Sequence, residues 1–203
     1  MVEAVYDYLY AMGDYFAGGG PVMVPLAMVS LVMWVLIINR AVFFRKLYRH
    51  NMSRELAGEL VRNNRTPDFQ IYRGAVSLFV AEFLKKRSNV SELDACILDE
   101  VVMSLTASLD RYLAVIGVLA GIAPLLGLLG TVLGMVSTFE IISHFGTGNA
   151  RALSGGISEA LITTETGLLV AIPGLYMSNF LKRRAERLKQ RIASVGMYLK
   201  QYV

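Results

Sequence analysis

Apolar residues in this chain come in long unbroken runs rather than in the short repeats of a water-soluble domain. Tyr15–Asn39 holds no charged residue, and neither does Leu113–Phe139. Ala152–Leu181 is similarly apolar but carries Glu159 and Glu165 beside Thr163, Thr164 and Thr166. A helix crosses a bilayer with about 20 apolar residues. The pattern therefore predicts an all-α membrane protein with three transmembrane helices, over residues 21–44, 112–140 and 156–181. The runs exceed the minimum, which leaves room for tilt or for extension beyond lipid.

The stretches between these runs carry helical spacing. In 45–111 the pattern predicts a short helix over Ser53–Asn63, closed by Asn64 and Pro67, and a second over roughly Ile71–Arg87. Ser91 offers a cap, with Asp94 three residues on. No proline follows until Pro124, so one rod is expected from Ser91 through the second span. At 1.5 Å per residue, Ser91–Phe139 would be about 70 Å long. In the tail 182–203, Leu188, Ile192, Val195, Leu199 and Tyr202 recur at helical spacing and extend the third span. Residues 1–20 place Val5, Leu9, Met12 and Phe16 on one stripe, ended by Gly18–Gly20 and Pro21. This reads as an interfacial helix, either an aromatic anchor at the headgroups or a partner contact. The expectation is a single membrane domain over 1–203 without a separate soluble domain.

Charge adds orientation. Residues 1–21 contain no Lys or Arg, whereas eleven lie in 45–111 and seven follow the last span. By the positive-inside rule the N-terminus is expected outside, with 45–111 and the tail in the cytoplasm. The net charge of +4 is thus a topology signal that also suits anionic headgroups, and nucleic acid is not needed to explain it. An acidic N-terminus is unlike a signal peptide. One cysteine cannot form an intrachain disulfide, and two histidines give little support for a metal site. Neither a nucleophile elbow nor an HExxH motif is present, so no enzyme and no cofactor are expected.

The chemistry sits in spans two and three. Gly117, Gly121, Pro124, Gly127 or Leu128, Thr131, Gly134 and Thr138 follow three- and four-residue steps, as do Gly156, Ala160, Thr163 or Thr164, Gly167, Ala171, Gly174 and Ser178. Such stripes bring helices close; Gly127, Gly130, Gly134 and Gly167, with Pro124 and Pro173, are the expected packing positions. Thr131 and Thr164 lie 17 and 16 residues from a hairpin tip near residue 148, hence at similar depth. They either bond back to their own backbone or form a polar belt. Glu159 falls about 34 Å before Lys182, near the outer interface, and Glu165 about 25 Å before it. Glu159 reads as an exposed carboxylate or a pore-mouth residue. Glu165 reads as a neutral structural acid, a protonatable relay or a subunit contact.

APLLGLLGTVLGMVSTF (Ala123–Phe139) and GISEALITTETGLLVAIPGL (Gly156–Leu175) resemble the signature segments of the ExbB/TolQ/MotA proton-channel family, nearest its ExbB and TolQ members. The resemblance implies a homopentamer in the bacterial inner membrane around two helices of an ExbD/TolR-like single-span partner. That partner supplies a protonatable aspartate, which Thr131 and Thr164 would surround. It implies that Glu159 matches the family's intramembrane glutamate and that Thr163, adjoining Thr164, is a further pathway candidate. The output would be proton-driven work on a TonB- or TolA-like protein: energised outer-membrane transport, or envelope maintenance in the TolQ manner. Glu165 stands where the family more often has a small or apolar residue. A non-conducting membrane scaffold is the reading from a different class.

Overall fold

A computed structural model describes residues 7, 10, 13–48, 52–68, 74–88, 90–146 and 150–202. Val5, Leu9 and Met12 of the N-terminal stripe, the start of the 71–87 helix and the hairpin tip near 148 lie outside them. The regular elements among the described residues are all helices: residues 13–18, α1 (Met23–Tyr48), α2 (Arg54–Arg62), α3 (Ala75–Lys86), α4 (Ser91–Asp110), α5 (Leu113–Phe145) and α6 (Ala150–Leu199), with a 3-10 turn at Lys200–Tyr202. Among them, three helical stretches are long and apolar enough to cross a membrane: Met23–Tyr48, Ser91–Phe145 and Leu153–Tyr202.

The chain packs as two compact units. The first comprises the chain up to Leu36 and Val115–Ser178; the second comprises Ile37–Ala114 and Asn179–Val203. In the first, α5 and α6 run antiparallel and interlock through small side chains. Buried positions recur at Ile116, Ala120, Ala123, Gly127, Gly130, Gly134 and Thr138 on α5. They meet Gly156, Ala160, Thr163, Gly167, Ala171 and Gly174 on α6. A Cβ at Gly134 would stand 2.6 Å from the Gly156 carbonyl oxygen, and one at Gly167 would stand 2.8 Å from that of Ala123. Backbone thus meets backbone, which only glycine allows. Gly174 opens the same face to α1, where an added Cβ would fall 2.5 Å from Met33 Sδ.

This contact line differs from the expected stripe on α5. Gly121 is exposed with nothing near it, and Gly117, Pro124 and Thr131 are only half-buried. The packed line keeps Gly127, Gly134 and Thr138 of that stripe but passes through Ala120, Ala123 and Gly130 in place of Gly121, Pro124 and Thr131. Spacing identified the helix but allowed two small-residue faces, and only the partner helix selects between them.

The second unit corrects two expectations. The single rod from Ser91 does not form, because Arg111 and Tyr112 interrupt it and Tyr112 takes φ +66°. The break is held by Arg40, whose Nε donates to Arg111 O at 2.5 Å and whose Nη2 donates to Ser108 O at 2.8 Å. The last carbonyls of a helix lack intrahelical donors, and this buried guanidinium supplies them while lying 4.9 Å from the Phe43 ring and 5.5 Å from that of Tyr112. Nor is Ser91 a cap: Val90 holds the N-cap position, without a side-chain cap bond. Asp94 is instead turned to the preceding loop, accepting from Ser88 N–H at 2.7 Å, Ser88 Oγ at 3.0 Å and Arg87 Nε at 3.2 Å. Ser53 does cap α2, accepting from Leu56 N–H.

Around these caps the core is aliphatic and aromatic. Ala57, Val61, Val76, Phe79, Val80, Phe83, Leu98 and Val101 are fully buried with Leu181, Ala185, Leu188, Ile192 and Leu199 of α6. Each fully buried Val, Leu, Ile or Phe side chain contributes about 1.5–3 kcal/mol. Lys189 donates to Asp110 at 2.7 Å and Lys200 to Asp99 at 2.7 Å, both at the surface.

Candidate functional site

The two helices that carry the chemistry leave one edge free. Gly130 meets Thr163 across the contact line, and Gly127 meets Thr164 and Gly167. Successive residues on an α-helix turn by about 100°. Thr131 is one step beyond Gly130 and Thr164 one step beyond Thr163. In an antiparallel pair those steps rotate both side chains toward the same side, so the two hydroxyls share an edge, at levels within a turn of each other.

Hydrogen bonding sets the polarity of that edge. Thr131 Oγ1 donates to Leu128 O at 2.6 Å. Thr164 Oγ1 lies 3.1 Å from Ala160 O and 3.3 Å from Gly127 O. With the hydroxyl protons committed to carbonyls, the oxygens present lone pairs, so the edge is one of acceptors. Thr163 is fully buried in the contact line, 3.0 Å from both Glu159 O and Ala160 O, and stands away from the edge.

The glutamates lie elsewhere. Glu165 is two steps beyond Thr163 and therefore points away from α5. It is exposed and borders a groove of about 380 Å³ with Leu168, Leu169, Ile172 and Pro173. Pro173 removes the N–H that would bond the Leu169 carbonyl, which adds a polar group at that groove. Glu159 faces the opposite side from the threonine edge. It shares its face with Ile162 and Thr166, and residues 15–20 cover it: Tyr15 Oη lies 3.0 Å from Thr166 Oγ1, and Gly18 and Gly19 approach Ile162. The sequence singles out both glutamates but does not show that they face different sides, nor that Tyr15 meets Thr166 and that Gly20 lies under the Glu159 side chain. Arg40 was missed too; an arginine directly after an apolar span was the available signal. Among the described residues no cluster of three metal-ligating side chains exists.

Apolar helices of membrane length, locked together by glycine, define a multi-pass membrane protein. The chain belongs to the MotA/TolQ/ExbB proton channel family, whose match covers residues 70–194. It is 34% identical over 177 residues to an ExbB-like biopolymer transport protein of Synechocystis, covering 79% of this chain and 80% of that protein. It is 29% identical over 204 residues to the biopolymer transport protein ExbB of Neisseria meningitidis, covering 89% and 91%. Salmonella typhimurium ExbB is 29% identical over 192 residues, covering 86% and 77%.

Proposed function

We propose that this chain is the channel subunit of an inner-membrane motor that uses the proton motive force to energise TonB-dependent transport across the outer membrane. The observation that carries this reading is the shared edge of Thr131 and Thr164. Their oxygens accept hydrogen bonds, so they suit a group that carries a proton, such as a neutral carboxyl or a hydronium ion. Charging a carboxylate in low dielectric costs several kcal/mol unless polar groups compensate, so an edge of acceptors favours the protonated, neutral form of the group that faces it. Each charge crossing 100 mV releases about 2.3 kcal/mol.

The carboxylate comes from a partner: an ExbD-like single-span protein, two copies within a pentamer of this chain, with a TonB-like protein receiving the work. The N-terminus lies on the periplasmic side, and the 45–111 region and tail lie in the cytoplasm, as the placement of Lys and Arg indicates. ExbB names among the relatives favour uptake over a TolQ-like envelope role. The experiment is complementation of a strain lacking its own ExbB, grown on a nutrient that enters only through a TonB-dependent receptor. Growth supports the reading; correct membrane insertion without growth, but with restored detergent resistance in a strain lacking TolQ, would move it to the envelope system.

A further inference from the structure

The family resemblance assigns Glu159 to the proton pathway, but its surroundings point elsewhere. Residues 18–20 end the N-terminal helical stretch in a tight turn, with Gly20 N–H donating to Ala17 O at 3.4 Å and Met23 N–H to Gly20 O at 3.2 Å. Gly20 has φ +66°. The Glu159 carboxylate lies over this turn so closely that a Cβ on Gly20 would overlap its Oε1 and stand 2.5 Å from its Cδ. Two further contacts continue the same seam along α6: Gly18 and Gly19 against Ile162, and Tyr15 Oη against Thr166 Oγ1. Three successive turns of α6 thus lie against residues 15–20, and the outermost contact is the Glu159 side chain packed over Gly20. Phe16 and Thr166 also line a cavity of about 310 Å³ with Met23, Leu26, Ser30 and Val170, which the seated segment borders.

We propose that Glu159 is a positioning residue: its carboxylate seats residues 15–20 on the Glu159–Ile162–Thr166 face of α6, and proton transfer does not pass through it. The activity readout below rests on the proposed function, whereas the seating itself does not.

The geometry supplies the test. A Cβ at Gly20 would be 3.1 Å from Glu159 Cγ. One C–C bond further, the two Cβ atoms are at most about 4.6 Å apart, against the 3.5–4.5 Å of disulfides. In a Cys96→Ser background, the Gly20→Cys/Glu159→Cys chain is expected to form this bridge in the oxidising periplasm, read as a non-reducing gel shift and by mass spectrometry. The bridge replaces the carboxylate as the hold. Proton flux and receptor-dependent growth, reduced at least tenfold in Glu159→Cys alone, should then recover to within about threefold of wild type and fall again on reduction. Gly20→Val should reproduce the Glu159→Ala loss, and combining the two should add nothing. Absence of a bridge in chain that reaches the membrane overturns the seating. A bridged chain that stays inactive while Gly20→Val is active overturns the positioning role and returns the carboxylate to the pathway. Both results are read against wild-type flux, so a failure of the channel function is seen separately.

Discussion

Replacing Gly134 by alanine tests the α5–α6 contact on which the threonine edge depends. The added Cβ would stand 2.6 Å from the Gly156 carbonyl oxygen and 3.0 Å from both Cβ and N of Ala160. Ordinary contacts of this kind begin at about 3.4 Å, so the helices must part by roughly 0.8 Å at this level. None of the three opposing atoms can rotate away, because two are backbone and the third is a Cβ fixed to it. Overpacking of this sort costs about 1–3 kcal/mol, and a gap of 0.5–1 Å forfeits about a quarter to a half of each dispersion contact beside it. Gly121→Ala is the control. Nothing lies within 4 Å of that position, and alanine in a helix interior is favoured over glycine by about 0.5–1 kcal/mol. Unfolding of the detergent-solubilised chain in sodium dodecyl sulfate, followed by circular dichroism, should show Gly134→Ala destabilised by 1–3 kcal/mol and Gly121→Ala unchanged or more stable. Equal midpoints for Gly134→Ala and wild type would refute the contact line.

Three further outcomes are expected. Arg40→Met removes both donors from the end of α4; hydrogen bonds from charged groups contribute about 1.5–3 kcal/mol each, so the second unit should lose about 3–6 kcal/mol in chemical denaturation, and Arg40→Lys should recover only part of it. Asp94 lies in the 45–111 region; its burial opposes ionisation, but the Ser88 bonds and Arg87 outweigh this and hold its carboxyl below the ordinary value. A depressed carboxylate stabilises above its unfolded pKa and loses that contribution as pH falls through the folded one. Limited proteolysis between pH 7 and pH 3 should therefore show wild type opening at the acid end, and Asp94→Asn cleaved faster at pH 7 with a flatter profile. Lys189→Ala, which breaks an exposed pair with Asp110, should change stability by less than about 1 kcal/mol in the same denaturation assay.

Most of the fold was legible because lipid imposes a simple rule: apolar runs of sufficient length become helices. Arg54–Arg62 was legible as well, since Ser53 is a local cap. The rod from Ser91 failed for a nonlocal reason. Nothing between Ser91 and Phe139 disfavours helix before Pro124, and the break at Arg111–Tyr112 is held by Arg40, 71 residues from Arg111 in sequence. Asp94 misled similarly, because the spacing Ser91–Asp94 reads as a capping box while the Ser88 donors lie one turn earlier. In the site, spacing put Thr131 and Thr164 at one depth, but which neighbour of each faces the contact line depends on helix rotation. Thr163 and Thr164 are indistinguishable by type and adjacent in sequence, yet one is sealed against Gly130 and the other borders the edge.

The central claim is that the Thr131–Thr164 edge lowers the barrier to proton transfer. Its most direct measurement is proton flux in proteoliposomes holding the chain with its single-span partner, under an imposed potential. Loss of one hydrogen bond to a charged or proton-bearing group corresponds to about 1.5–3 kcal/mol, or roughly 10–150-fold in rate. Thr131→Val and Thr164→Val should each lower flux by that range while the complex stays assembled. Undiminished flux in both, from intact complexes, would contradict the account.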